Sequence, residues 1–268
     1  MSHHLDRILS DTRERVAGLA SQRRELERRA ANASPPRFFG GIAPDGAVGV
    51  IAEVKRRSPS AGAIQADLDP VAHARAYAAG GAVGISVLTE PQHFGGSLED
   101  LRGVAEAVPV PVLCKDFILD EVQLLAARAA GASAALLIAR ILTGSRLREL
   151  IAAAGGMELG VLVEVHTVDE LDAALGAGAA VLGVNNRDLD SFVVDMATGE
   201  RVLRAVPRHV VAVGESGIES RADVERLAAA GADLVLVGTA LVRLADPRAA
   251  VRALCGVRRR PRGGGIAA

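Results

Sequence analysis

Eight short apolar runs recur along the chain: 48–54 (VGVIAEV), 82–88, 110–114, 134–138, 159–164, 180–184, 209–213 and 233–237. Each is near-continuous rather than alternating, the pattern of parallel strands buried on both faces. Between and after them lie stretches with helical character, near 70–79, 97–107, 120–130, 143–154, 167–176, 197–205, 220–230 and 246–255. Asp69 before Pro70, Thr143, Thr167 and Ser220 stand where N-caps are needed. The segments AAGGAVGISVL, AAGASAALLIA, GAGAAVLGVNN and AAGADLVLVGT share one order: helix end, glycine, strand. Their glycines, Gly81, Gly131, Gly178 and Gly231, recur about every fifty residues, or two strand–helix units.

Eight such units predict a closed (βα)8 barrel, the TIM barrel, over 48–256. A doubly wound open sheet is the alternative, but no GxGxxG follows the first strand. Residues 4–31 read as one amphipathic helix, with Leu5, Ile8, Leu9, Val16 and Leu19 at helical spacing. The N-terminal extension, 1–47, is therefore expected to pack on the barrel, with loop over 37–47. The basic, glycine-rich segment 257–268 is expected to be a disordered, solvated tail.

Composition narrows the possibilities. Half the residues are hydrophobic, but there are only five Phe, one Tyr and no Trp, so the core must be small aliphatic side chains packed closely. A net charge of −1 argues against nucleic acid as a partner. No apolar run reaches the roughly 18 residues of a membrane span, and no signal peptide opens the chain. Cys114 and Cys255 show no CxxC pattern and predict reduced thiols in a cytoplasm. His73, His93, His166 and His209 have no ligand-like spacing, so no metal is expected; His166, two residues beyond Glu164, could share its face but is assigned to the start of a helix.

The charges carry more. Of 31 Lys plus Arg, only two are lysine, Lys55 and Lys115, and both end apolar strands. A buried lysine can exchange its proton near neutrality, whereas arginine cannot. In a barrel, chemistry gathers at the C-terminal strand ends. Taken in order, those ends present Glu53 and Lys55, Lys115, Glu164, Asn185 and Arg187, Glu215 and Ser216, then Gly238 and Thr239. Residues i and i+2 share a face, so Glu53 with Lys55, and Asn185 with Arg187, can both point into the mouth. An ion-pair network holding the rim is the alternative reading. The turns GESGI (214–218) and LVGTALVR (236–243) follow the seventh and eighth strands, where barrels commonly hold phosphate; a pair of helix caps is the alternative. Phe94 and Phe117 follow the second and third strands and are candidates for an apolar wall.

These motifs resemble the indole-3-glycerol phosphate synthase family. The matching stretches include IAEVKRRSPSAG (51–62), VPVLCKDFILDEVQ (110–123), VLVEVHTVDELDAAL (161–175), GVNNRDLDSFVVD (183–195) and VLVGTALVR (235–243). The resemblance implies a phosphorylated small-molecule substrate, 1-(2-carboxyphenylamino)-1-deoxyribulose 5-phosphate, closed to an indole with loss of CO2 and water in tryptophan biosynthesis. It implies Lys115 as general acid, Lys55 and Glu164 sharing the later proton transfers, and Glu53 holding the two lysines. Asn185 and Arg187 would position substrate and carboxylates, Ser58 would make contacts from the first loop, and Glu215 and Ser216 would contact substrate. Ser216, Gly217, Gly238 and Thr239 would hold the phosphate, and Phe94 and Phe117 would flank the anthranilate ring. Thr239 stands where the family often has serine, which keeps the hydroxyl. The resemblance also implies a stand-alone cytoplasmic enzyme without metal or cofactor, expected to be a monomer, with a dimer as the alternative. Another phosphosugar barrel, an isomerase, and a non-catalytic barrel scaffold are the rival readings.

Overall fold

The computed structural model describes residues 3–37, 46–59 and 61–262. The expected loop over 38–45 and the tail over 263–268 lie outside the described residues. Eight strands close into a barrel: β1 (Gly49–Val54), β2 (Gly84–Leu88), β3 (Val112–Lys115), β4 (Ala134–Ile138), β5 (Gly160–Val165), β6 (Val181–Asn185), β7 (Val211–Glu215) and β8 (Leu234–Val237). Every pairing is parallel, and β1 pairs with both β2 and β8. The alternation read from the sequence therefore holds. β3 begins two residues later than expected because Pro111 has no N–H to give the ladder; its carbonyl accepts from Ile85 instead. β7 is displaced by two residues because Val210 N–H is taken by Pro207 in a turn.

The helices are α1 (His3–Ala20), α2 (Arg23–Asn32), α3 (Pro70–Gly80), α4 (Pro91–Phe94), α5 (Leu98–Ala107) and α6 (Glu121–Ala129), then α7 (Gly144–Gly156), α8 (Val168–Gly176), α9 (Met196–Ala205), α10 (Arg221–Ala230), α11 (Thr239–Val242) and α12 (Pro247–Leu254). Asp69, Thr143 and Thr167 accept N-terminal amides as capping residues, and Ser220 forms a capping box with Asp223. Gly81, Gly131, Gly178 and Gly231 all take positive φ after their helices.

Two apolar layers result. One lies between strands and helices, where Cys114 is buried. The other fills the barrel, with Ile51, Leu113, Leu136, Leu162, Val213 and Leu236 among its members. The single helix expected over 4–31 is broken at residues 21–22. The two halves serve different surfaces, which one straight helix could not reach. Leu5 and Ile8 of α1 extend the second apolar cluster over the open end of the barrel. Leu26 and Ala30 of α2 pack instead against Val122, Leu125 and Ala126 of α6. The Arg15 guanidinium fastens α1 by donating to both oxygens of buried Asp116, at 2.8 and 3.0 Å.

Residues 257–262, read from the sequence as the start of a solvated tail, are instead bound to the opposite end of the barrel. Val48 N–H donates to Val257 O, and Arg259 pairs with Asp233. Arg262 is buried, reaching Asp233 at 2.7 Å and the carbonyls of Gly231, Val210 and Pro207. A basic composition suggests solvent, but a guanidinium fan can saturate several strand-end acceptors at once. Arg262→Ala strips a buried carboxylate and three carbonyls of a donor. It should lower unfolding stability by about 3 kcal/mol, read from the urea midpoint; a loss below about 1 kcal/mol would show these contacts to be dispensable.

Candidate active site

Parity along the strands builds the mouth. Ile51, Leu113, Leu162 and Val213, on β1, β3, β5 and β7, face inward. Two residues further on, the same strands carry Glu53, Lys115, Glu164 and Glu215 on the same face. Barrel interiors stack in layers of four side chains from alternate strands, normally branched and apolar. Here the outermost layer of the odd strands is one lysine and three carboxylates. Each carboxylate is nearly inaccessible: Glu53 is 5 % exposed, Glu164 2 % and Glu215 2 %.

Lys115 Nζ donates to Glu215 Oε2 at 2.8 Å and to Glu164 Oε2 at 2.9 Å. Lys55 Nζ donates to Glu53 Oε1 at 2.5 Å. Asn185, at the end of β6, donates to the other oxygen of Glu164 at 3.0 Å, and its own side-chain oxygen accepts from Arg187 N–H. Two glycines make room for this packing. A Cβ on Gly183 of β6 would stand 2.0 Å from Glu215 Oε1, and one on Gly238 would stand 2.3 Å from Glu53 Oε1.

The three central groups shift in different directions. Burial alone would favour neutral Lys115, but the charges of Glu164, Glu215 and Glu53 outweigh it and hold the ammonium. Burial also opposes ionised Glu164, yet Lys115, His166 and the Asn185 bond draw its pKa down to about 2. For Glu215, burial dominates; Lys115 pulls against it, the negative charges of Glu164 and Glu53 reinforce it, and its pKa is pushed up to about 7. The mouth thus holds an ammonium, Lys115, and a carboxylate, Glu164, each kept charged by its neighbours, beside a carboxyl, Glu215, whose burial favours its neutral form.

All of this faces a cavity of about 760 Å³. Every site residue expected from the sequence lines it: Glu53, Lys55, Ser58, Phe94, Lys115, Phe117, Glu164, Asn185, Arg187, Glu215, Ser216, Gly217, Gly238 and Thr239. Phe94 and Phe117 sit with ring centroids 6.1 Å apart. The four-residue helix α4, invisible in the sequence pattern, presents Phe94; Glu90 caps it by accepting three backbone amides. Ser216 and Gly217 both take positive φ, at 64° and 74°, and α11 starts at Thr239, after Gly238. Backbone held in the left-handed region at a non-glycine residue such as Ser216 is strain of the kind found at ligand clamps.

Ser58 lies in a small hairpin, Arg57–Ser58 against Gly62–Ala63. Arg56 secures its base by donating to both oxygens of Asp100 and to Gly95 O. Leu5 and Ile8 of α1 line the cavity as well. Two participants were missed in the sequence: Asp116, which anchors α1, and Gly183, which matters through a missing side chain. His166, assigned to a helix start although it could share a face with Glu164, does lie against Glu164. Among the described residues no group of His, Cys, Asp and Glu is arranged to hold a metal, and no helix is long and apolar enough to cross a membrane.

Buried charges gathered with a cavity at the C-terminal mouth of the barrel place the chain in a class, the (βα)8-barrel enzymes. Comparison with known proteins supplies the particular member. The family model for indole-3-glycerol phosphate synthase matches residues 5–254. The chain is 49 % identical over 254 residues to the indole-3-glycerol phosphate synthase of Kineococcus radiotolerans, covering 92 % of this chain and 93 % of that one. It is 47 % identical to indole-3-glycerol phosphate synthase 1 of Streptomyces coelicolor over 92 % of this chain and 91 % of the relative. The chain belongs to the indole-3-glycerol phosphate synthase family. Among solved structures, a 3-hexulose-6-phosphate synthase superposes with a TM-score of 0.63 at 19 % identity, over 77 % of this chain and 98 % of that one, a likeness of fold alone.

The Gly183 contact is testable. Gly183→Ala should push the Glu215 carboxylate off Lys115 and lower turnover about 100-fold while the far-UV circular dichroism stays unchanged. Undiminished turnover would mean that the Glu215–Lys115 contact is not needed.

Proposed function

We infer that this protein is an indole-3-glycerol-phosphate synthase, which closes 1-(2-carboxyphenylamino)-1-deoxyribulose 5-phosphate to indole-3-glycerol phosphate in tryptophan biosynthesis. The observation that carries the reading is Lys115 Nζ, held 2.8 and 2.9 Å from two buried carboxylates and facing the cavity. In this reading the ring carbon bearing the carboxylate attacks the ketone carbon, and the ketone oxygen takes a proton from Lys115. An alkoxide is far more basic than a carboxylate, so the ammonium can give to it a proton that Glu164 and Glu215 otherwise stabilise. Departure of CO2 returns its bonding electrons to the ring. The new hydroxyl then leaves as water, and a base removes the last proton to complete the indole.

The later transfers fall to Lys55 and Glu164. Lys55 is paired with Glu53 and can also attract the substrate carboxylate. Glu164 is ionised and steadied by Asn185. The aromatic ring would lie by Phe94 and Phe117, with Arg187 and Ser58 as polar contacts. The phosphate would lie at the turns of Ser216–Gly217 and Gly238–Thr239, where (βα)8 barrels commonly bind it. Cys114 is buried in the outer layer, away from the mouth, which disfavours a thiol-based isomerase. One chain supplies the whole constellation, which supports a monomer; a reduced, buried Cys114 suits the cytoplasm.

Turnover of this substrate, followed by indole fluorescence, tests the reading, and the protein has no Trp of its own to obscure the signal. Lys115→Met should abolish the proton donor and lower kcat by roughly 100- to 10,000-fold. Lys115→Arg, which keeps the charge but is larger and a far weaker acid, should lose most of it too. Near-normal turnover in either variant would remove Lys115 from the role of acid.

A further inference from the structure

Glu164 has a neighbour on the side away from Lys115. His166 follows it by two residues and is 5 % exposed. The sequence lets it share a face with Glu164 but assigns it to the start of a helix, and its backbone N–H does donate to Glu170 Oε2 of α8 at 2.6 Å. The ring has a second relation. Its Nδ1 lies 3.2 Å from Glu170 Oε2, and its Nε2 lies 3.6 Å from Glu164 Oε1. That Nε2 is buried and makes no hydrogen bond.

Both ring nitrogens therefore face carboxylate oxygens. A neutral imidazole has one N–H and one lone pair. Either tautomer would turn its lone pair toward a carboxylate where little water can intervene. Only the doubly protonated ring suits both sides. The surrounding charges agree with this. Arg140, in the turn after β4, donates to Glu170 Oε1 at 3.0 Å and to Asp188 Oδ2 at 2.9 Å, and lies 3.6 Å from Asp190. Lys115 lies on the far side of Glu164. Alternating charges thus run from the mouth to the loop after β6: Lys115, Glu164, His166, Glu170, Arg140, Asp188.

We propose that His166 is a positioning residue: an imidazolium that holds Glu164 ionised and oriented, and ties it through Glu170 and Arg140 to the loop carrying Asp188. Burial opposes its charge, but the bond to Glu170 and the charges of Glu164 and Glu170 raise its pKa above the ordinary histidine value. The catalytic consequence rests on the reading of Glu164 as an acid–base group. The protonation state of His166 does not.

The test has two arms. Nitrogen-15 NMR of histidine-labelled protein at pH 7.5, with the His166 signals identified by their absence in His166→Gln, should show both ring nitrogens protonated. A single neutral tautomer would overturn the proposal. In the kinetic arm, His166→Gln should lower kcat on the order of tenfold or more, through misplacement of Glu164, with KM unchanged. An unchanged kcat would overturn the positioning role even with an imidazolium present. If His166→Gln fails to fold, Glu170→Gln keeps the ring but removes one facing carboxylate. It should shift the remaining His166 signals toward the neutral pattern at pH 7.5, and failure to do so would contradict the proposed pairing. Absence of indole formation by the wild-type protein would refute the functional reading but leave the NMR result decisive for His166.

Discussion

The Lys115 ammonium, clamped between Glu164 and Glu215, is the interaction on which the rest of the mouth depends. Taking one cation and two carboxylates out of water costs several kcal/mol per ion before their attraction is counted. Branched apolar side chains in that layer would serve the barrel better, as they do one layer below in Ile51, Leu113, Leu162 and Val213. The charged layer is thus a local departure from good core design, of the kind expected where chemistry is done. Around it the fold supplies compensation. Gly183 and Gly238 make room, Asn185 satisfies the second oxygen of Glu164, and a separate ion pair holds Lys55 on Glu53.

The same layer explains what lies above it. Charges at the end of an open barrel would be screened by water and lose their influence on one another. The N-terminal segment brings Leu5 and Ile8 over the mouth and is fastened there by the Arg15–Asp116 pair. Asp116 directly follows Lys115, and its Oδ1 also accepts from Phe117 N–H while Oδ2 accepts from Thr89. The three residues 115–117, from the last of β3 onward, therefore carry the central lysine, the anchor for the covering helix and one aromatic wall. A change that unsettles α1 would reach the site through Asp116.

Much of this was legible in the sequence because it depends on periodicity and residue type. Continuous apolar runs separated by helical stretches define a barrel, and a period of two along each strand puts Lys115 and Glu164 on the inner face while sending Cys114 outward. The scarcity of lysine singled out Lys55 and Lys115. What escaped has other physical origins. The break between α1 and α2 comes from tertiary packing on two surfaces, and no helix-breaking residue stands at residues 21–22 to announce it. α4 is held by one capping glutamate and is too short for a period to register. Arg262 is basic and sits in a glycine-rich stretch, so composition points to solvent while its carbonyl partners lie far away in sequence. Gly183 matters because of the atom it lacks. His166 was visible two residues beyond Glu164, where the two could share a face, but the reach of its ring to Glu170 as well depends on an orientation that sequence spacing does not provide.

The most direct test of the central claim is a crystal structure with an unreactive substrate analogue whose ketone is replaced by a secondary alcohol. Its alcohol oxygen should lie within hydrogen-bonding distance of Lys115 Nζ, its aromatic ring beside Phe94 and Phe117, and its phosphate at the Ser216–Gly217 and Gly238–Thr239 turns. An analogue bound in the same cavity with that oxygen directed to Lys55, and Lys115 still enclosed by Glu164 and Glu215, would contradict it. Lys115 would then be a structural ion pair and the acid would lie elsewhere.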